Sequence, residues 1–99
     1  ANNATPRRKA RTMDILIKST TEQKALGNDY RYVEMASGKH EATVGVCRCN
    51  GELQHVTVIV HNAANRAWRG LGKRFSTVAE ALAKYKTPEI RAMIEHAAN

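Results

Sequence analysis

The chain has 99 residues, enough for one hydrophobic core, which excludes a large enzyme with separate cofactor and substrate domains. With 42% hydrophobic and 25% charged residues, its composition disfavours wholesale disorder, a collagen-like chain or a coiled coil. Sixteen Lys and Arg residues against nine Asp and Glu give a formal net charge of +7, which favours a polyanionic partner.

The expected location is the cytoplasm, without membrane insertion. No apolar run approaches the roughly 18 residues of a membrane span. The basic N-terminus has no apolar stretch behind it, so no secretion signal is expected either. The two cysteines, two residues apart in one predicted strand, are badly placed for a mutual disulfide, and free thiols suit a reducing compartment.

Half of the basic charge lies in two segments without acidic residues, 1–11 and 61–74. Residues 1–11 lack apolar periodicity and are predicted to be a disordered basic arm, followed by a single α+β domain over residues 12–99. The rest of the chain is close to neutral. Segregated charge of this kind is typical of a phosphate-binding surface. The basic residues predicted to contact phosphate are Arg7, Arg8, Lys9, Arg11, Arg66, Arg69, Lys73 and Arg74.

Three segments precede the main hairpin of the predicted sheet. Met13–Lys18 suits a short strand with one buried face, and the polar stretch Ser19–Asp29 is predicted to be a loop or at most one helical turn. Tyr30–Ala36 is rich in strand formers and ends at a glycine-containing turn. The pairing of the first strand is left open.

The strongest local signal is Asn50-Gly51 between two alternating runs. Both central residues of a type I′ turn have positive φ, so the dipeptide predicts a hairpin whose return strand is Leu53–His61. A two-residue turn pairs Cys47 with Gln54, which places His55 on the opposite face of the sheet from Cys47.

The apolar period then changes from 2 to about 3.6, which is typical of helices. A short helix is predicted over residues 63–71, and a second begins at the capping box formed by Thr77 and Glu80. Thr87-Pro88 begins a third helix. The predicted fold is α+β, an antiparallel sheet of three to four strands followed by two or three C-terminal helices packed on one face. The apolar stripe of the last helix is Ile90, Met93, Ile94 and Ala97.

Segment 61–74 also contains a predicted phosphate site. Arg66 and Arg69 are i, i+3 neighbours and project from one side of the predicted helix, and the following Lys-Arg pair extends this basic side. Gly70 and Gly72 let the backbone approach a ligand, and the next helix start attracts anions. The glycine spacing does not match a nucleotide-hydrolysing loop. The alternative is that these are ordinary turn glycines and solvated arginines.

Aromatic residues supply possible stacking surfaces for bases. Trp68 lies among basic residues, although its apolar neighbours favour packing in the core. Tyr30 and Tyr32 share one strand face and form a second possible platform, with an ordinary cross-strand pair as the alternative.

No metal site, cofactor or enzyme activity is expected. Cys47 and Cys49 share a strand face, but no second pair of ligands follows at a suitable spacing. With His55 or His61 they are the only combination of a nucleophile and a base, and no oxyanion feature accompanies them.

The sequence therefore predicts a small basic nucleic-acid-binding protein that contacts mainly the phosphate backbone, with little sequence specificity. The alternative is a small regulatory or inhibitor protein that binds an acidic protein surface. Self-association through an edge strand, the choice of DNA or RNA, and the strand form are left open.

Overall fold

The structure is a computed structural model, and it describes residues 14–61 and 72–99. They form a small α+β domain in which five antiparallel strands, paired in sequence order, precede two helices. The elements are β1 (Leu16–Ala25), β2 (Asn28–Ser37), β3 (His40–Cys49), β4 (Glu52–His61), β5 (Lys73–Phe75), α1 (Val78–Lys84) and α2 (Pro88–Ala98).

Both helices pack on the same face of the sheet. Alternate residues of β2, β3 and β4 point to this face and are buried against α1 and α2, because successive side chains of a strand lie on opposite sides. The buried strand residues are Val33, Met35, Ala42, Val44, Val46, Val56 and Val58. The helix residues packed against them are Ala81, Ile90, Met93, Ile94 and Ala97.

Local signals at the helix ends agree with the structure. Oγ1 of Thr77 accepts a hydrogen bond from the backbone N–H of Glu80 at 3.1 Å, which confirms the predicted cap of α1. Pro88 occupies the first turn of α2, where its missing N–H costs nothing, and the predicted apolar stripe of this helix is buried. Arg91 ties the helices together by donating to the carbonyl oxygens of Leu82 and Tyr85.

The prediction of three to four strands is wrong, because the sheet has five. β5 was not predicted, since three residues are too few to show an alternating pattern. The two helices of the structure match the last two predicted helices, while the helix predicted over residues 63–71 and the basic arm 1–11 lie outside the described residues.

The prediction of a loop at Ser19–Asp29 is also wrong. β1 continues to Ala25, and the chain turns at Leu26-Gly27 into β2. Every residue of β1 is exposed, including Leu16 and Ile17, so the buried face predicted for Met13–Lys18 is wrong within β1. The polar residues that follow Lys18 in β1 show no apolar alternation. Both turn residues have positive φ, 54° at Leu26 and 86° at Gly27, and leucine seldom adopts this conformation.

The hairpin at Asn50-Gly51 is confirmed by φ values of 55° and 84°, but its predicted register is wrong. An irregularity next to Cys47 leaves Gln54 without a partner, so Cys47 lies opposite His55. Because one extra residue reverses the faces, this bulge places the valines of β3 and β4 on the same side of the sheet. It therefore puts His55 on the face away from the helices.

Candidate functional site

The sheet face opposite the helices, called the open face below, carries neither of the described helices. Antiparallel pairing aligns its side chains in rows across the strands, because residues opposite each other point to the same side. The rows are Leu16, Ala36, Glu41 and His61; Ser19, Glu34, Thr43 and Ile59; Thr21, Tyr32, Gly45, Thr57 and Arg74; Gln23, Tyr30, Cys47 and His55; and Ala25, Asn28, Cys49 and Glu52. Both predicted stacking tyrosines of β2 thus belong to the open face.

Tyr32 is the more exposed of these tyrosines, with 38% of its surface accessible. Its ring occupies the space above Gly45, the residue opposite it on β3. A Cβ atom at position 45 would lie 2.5 Å from Cε1 of the ring, so glycine is what leaves room for the aromatic side chain. With the half-buried Tyr30 in the next row, the open face has two neighbouring aromatic rings of the kind on which nucleobases stack.

Two nitrogen-bearing side chains lie on the same face, His55 on β4 and Arg74 on β5. Arg74 of β5 lies opposite Thr57 and is exposed. Partial burial, and secondarily the charge of Arg74, lower the pKa of His55 from its ordinary value of 6.5. The His55 ring is therefore neutral at pH 7, with one nitrogen as a donor and the other as an acceptor.

A pocket of about 340 Å³ opens on this face beside Tyr32. Its apolar part is formed by the Tyr32 ring and by Ile59, which is only 9% exposed. The polar groups around it belong to Ser19, Thr21, Glu34, Thr43 and His61. Nε2 of His61 and Oγ1 of Thr43 are hydrogen-bonded at 2.8 Å, which holds the imidazole against the sheet. A few polar groups around an apolar surface are typical of a ligand pocket.

Two carboxylates of the open face, Glu34 and Glu41, differ in their partners. Glu41 forms an ion pair with Lys18, with 3.5 Å between Oε1 and Nζ. Oε1 of Glu34 accepts a hydrogen bond from Oγ of Ser19 at 3.0 Å, and no cation in residues 14–61 or 72–99 pairs with it. Glu34 thus presents a negative charge to the pocket.

The structure separates the two predicted phosphate contacts that it describes. Lys73 and Arg74 are adjacent in β5 and point to opposite faces, so Lys73 lies on the helix side and Arg74 on the open face. The other predicted phosphate contacts, Arg7, Arg8, Lys9, Arg11, Arg66 and Arg69, and the predicted stacking residue Trp68 lie outside the described residues.

The helix start at which a phosphate site is predicted already holds a carboxylate. The side chain of Glu80 accepts a hydrogen bond from the backbone N–H of Ser76 at 3.1 Å. Together with the cap by Thr77, this carboxylate occupies the position next to the exposed N–H groups where an anion would bind. The open face is therefore the better candidate site.

Cys47 and His55 lie side by side on the open face because of the bulge. Cys47 is only 3% exposed, and no hydrogen bond joins the two side chains, so they lack the geometry of a nucleophile activated by a base. Within the part of the chain that the structure describes, no three His, Cys, Asp or Glu side chains are grouped so as to hold a metal ion.

A second pocket, of about 360 Å³, lies on the helix side between the β1–β2 hairpin and the end of α2. Nη2 of Arg48 donates to the carbonyl oxygen of Ala98 at 2.5 Å, which ties β3 to the end of α2. Nε of Arg31 lies 3.9 Å from Oε2 of Glu22 on the paired strand, and it has no hydrogen-bond partner among the described residues. This pocket lacks the paired tyrosines of the open face at its centre, and we take it as the weaker candidate for a nucleic-acid ligand.

Sequence reasoning missed the residues that complete the open face, namely Gly45, Glu34, Thr43, Ile59 and His61. A glycine inside an alternating strand is a signal of close approach by another group, and here that group is the Tyr32 ring. The other four are recognisable only once the register of the strands is known.

No family model, curated protein or solved structure matches this chain. Neither of the described helices has the length and apolar character needed to cross a membrane.

Proposed function

We propose that this protein binds single-stranded nucleic acid across the open face. The observation that carries the proposal is the placement of Tyr30 and Tyr32 in successive rows of a sheet face that neither described helix covers, with Arg74 at the β5 end of the Tyr32 row. Stacking of a base on an aromatic side chain contributes about 1–3 kcal/mol, whatever the base, and a guanidinium on the same face attracts the phosphate.

The distribution of charge supports this proposal. The described residues hold ten basic and nine acidic side chains, so nearly all of the net charge of +7 belongs to the two basic segments outside them. One segment precedes β1, which begins at Leu16, and the other follows β4, which ends at His61. Leu16 and His61 belong to the same row at one end of the sheet. The row next to it contributes to the pocket. The basic residues outside the described ranges thus join the described chain near the end of the open face where the pocket lies.

A single strand suits this surface better than a duplex. Bases within a duplex are stacked on each other, whereas bases of a single strand are free to stack on tyrosines. The longer of the two described helices, α2, buries its apolar stripe in the core, so this stripe is not available to a duplex.

We propose a binding function and no catalysis, with mainly phosphate contacts, little overall sequence preference and a cytoplasmic location. The free thiols of Cys47 and Cys49 support a reducing compartment.

Fluorescence anisotropy with labelled oligonucleotides of about 15 nucleotides, in about 150 mM salt, tests the proposal. We expect micromolar or tighter binding of single strands and weaker binding of duplexes of the same sequence. Arg74→Ala should weaken single-strand binding several-fold, because it removes a cation from the open face.

Lys73→Ala is the matched control. It removes the same charge from the neighbouring residue of β5, on the helix side of the sheet. Equal losses for the two variants would show that net charge and not the open face determines the affinity. Absence of binding by the folded protein would contradict the proposal and make an acidic protein surface the leading candidate partner.

A further inference from the structure

The pocket beside Tyr32 contains a group that a phosphate-binding surface does not need. Glu34 brings a negative charge into a face proposed to bind a polyanion, and among residues 14–61 and 72–99 only the hydroxyl of Ser19 is hydrogen-bonded to it. A second carboxylate of this face, Glu41, is paired with Lys18. A carboxylate without a paired cation repels phosphate but accepts hydrogen bonds from the N–H groups of a base.

We propose that this pocket holds one base of the bound strand and that Glu34 selects guanine, an inference that rests on the proposed function. An ionised carboxylate only accepts hydrogen bonds, through two oxygens. Guanine alone among the common bases has two adjacent donors on its pairing edge, the ring N1–H and the amino group at C2. Adenine and cytosine have an amino group beside an unprotonated ring nitrogen, and thymine and uracil have one N–H between two carbonyl oxygens.

The surroundings of Glu34 suit a flat aromatic ligand. Oγ of Ser19 donates to Oε1 of the carboxylate at 3.0 Å, and no other side chain in the described ranges bonds to it, so its remaining lone pairs can accept from a base. The Tyr32 ring and Ile59 form the apolar surface that a base would contact. The volume of about 340 Å³ lies within the range of roughly 300–1,000 Å³ that is usual for small-ligand sites.

The test compares bases in the intact chain. Anisotropy is measured with single strands of repeating thymine-thymine-X, in which X is guanine, adenine, cytosine or hypoxanthine, the base of inosine. We expect the guanine strand to bind about tenfold tighter than the adenine strand. The inosine strand, which retains N1–H and lacks the amino group at C2, should lie between them.

Glu34→Gln and Glu41→Gln form a matched pair of variants, since each removes one negative charge from the open face. Glu34→Gln should abolish the preference for guanine, whereas Glu41→Gln should retain it. Tight binding with equal affinity for all four strands would overturn the assignment of the pocket and leave the proposed function standing. The assignment would also be overturned if Glu41→Gln lost the preference as fully as Glu34→Gln. Absence of binding to every strand would overturn both.

Discussion

At position 45, the absence of a side chain determines where the Tyr32 ring lies. Gly45→Val should displace the ring from the open face, because a Cβ atom alone would come within 2.5 Å of it. We expect about tenfold weaker binding of single strands, comparable to the loss in Tyr32→Ala, since stacking on one base is worth about 1–3 kcal/mol. Anisotropy titration measures the affinity, and thermal unfolding checks the fold.

Ala36→Val is the control for Gly45→Val. This substitution also adds a β-branched side chain to the open face, but on β2 and in the row at the end of the sheet that contains Leu16 and His61. Unchanged affinity in Gly45→Val, or an equal loss in both variants, would contradict the role assigned to the Tyr32 ring.

His55 gives a prediction for pH dependence. Burial first, and then the charge of Arg74, lower its pKa in the folded state below the 6.5 expected of the unfolded chain. Between these two pKa values the unfolded state binds more protons, so this residue lowers the free energy of unfolding as the pH falls below about 6.5. The lost part of the free energy of unfolding is regained as the pH rises from the folded-state pKa of His55 to about 6.5.

The pKa of His55 can be followed by NMR of its ring protons. We expect a value below 6.5 that rises in Arg74→Ala, because the repulsive charge is lost, and stays below normal because burial remains. A pKa at or above 6.5 in the intact protein would contradict the partial burial of His55, and an unchanged pKa in Arg74→Ala would contradict its placement near Arg74.

Among the structural elements, the bulge in β4 decides which residues face outward. Deletion of Gln54 removes the extra residue and should either unfold the domain or turn Val56 and Val58 away from the helices. Gln54→Ala should be tolerated within about 0.5 kcal/mol, because this side chain is exposed. Chemical denaturation of both variants measures the difference. A deletion as stable as the substitution would show that the register does not depend on the bulge.

The bulge also illustrates what the sequence could have revealed. The hairpin at Asn50-Gly51 follows from the dipeptide alone, since few other residues accept two positive φ values. A regular two-residue turn, however, pairs Val46 with His55, and the valines of the two strands then lie on opposite faces. Requiring one shared apolar face would have predicted an extra residue, and with it the position of His55.

Other elements could not be predicted from pattern. β1 is exposed along its whole length and pairs with β2 through its backbone, so nothing requires apolar alternation, and from Ser19 onward its sequence shows none. The turn after β1 contains Leu26 with a positive φ of 54°, a conformation that the intrinsic backbone preference of leucine does not favour. The helices, by contrast, have local signals, namely the Thr77 cap of α1 and the Pro88 and apolar stripe of α2, and both helices were predicted, although Thr87 forms no side-chain cap. Of the residues predicted as site residues, Tyr30, Tyr32 and Arg74 belong to the open face.

On the scale of the whole molecule, charge and stacking surface belong to different parts of the chain. The described residues carry a net charge near +1, and the remainder carries the rest of +7. Release of counterions from about six phosphates predicts a log–log salt slope of about −4 for single strands. Replacement of Arg7, Arg8, Lys9 and Arg11 by serine should reduce the size of this slope by up to about 3 units.

Anisotropy at several salt concentrations measures the slope. Replacement of Lys84 and Lys86, two exposed lysines at the end of α1 and just beyond it, serves as the control and should change the slope little. An unchanged slope after loss of the four N-terminal cations would contradict their role as phosphate contacts.

The most direct test of the open face as the binding surface is a methyl NMR titration with a single-stranded oligonucleotide. Methyl signals of Thr21, Thr43, Thr57 and Ile59 report on the open face, while those of Ile90 and Ile94 report on the helix side of the core. We predict that the first group shifts on binding and that the second stays in place. Shifts confined to the second group, or absent from both at saturating oligonucleotide, would contradict binding at the open face.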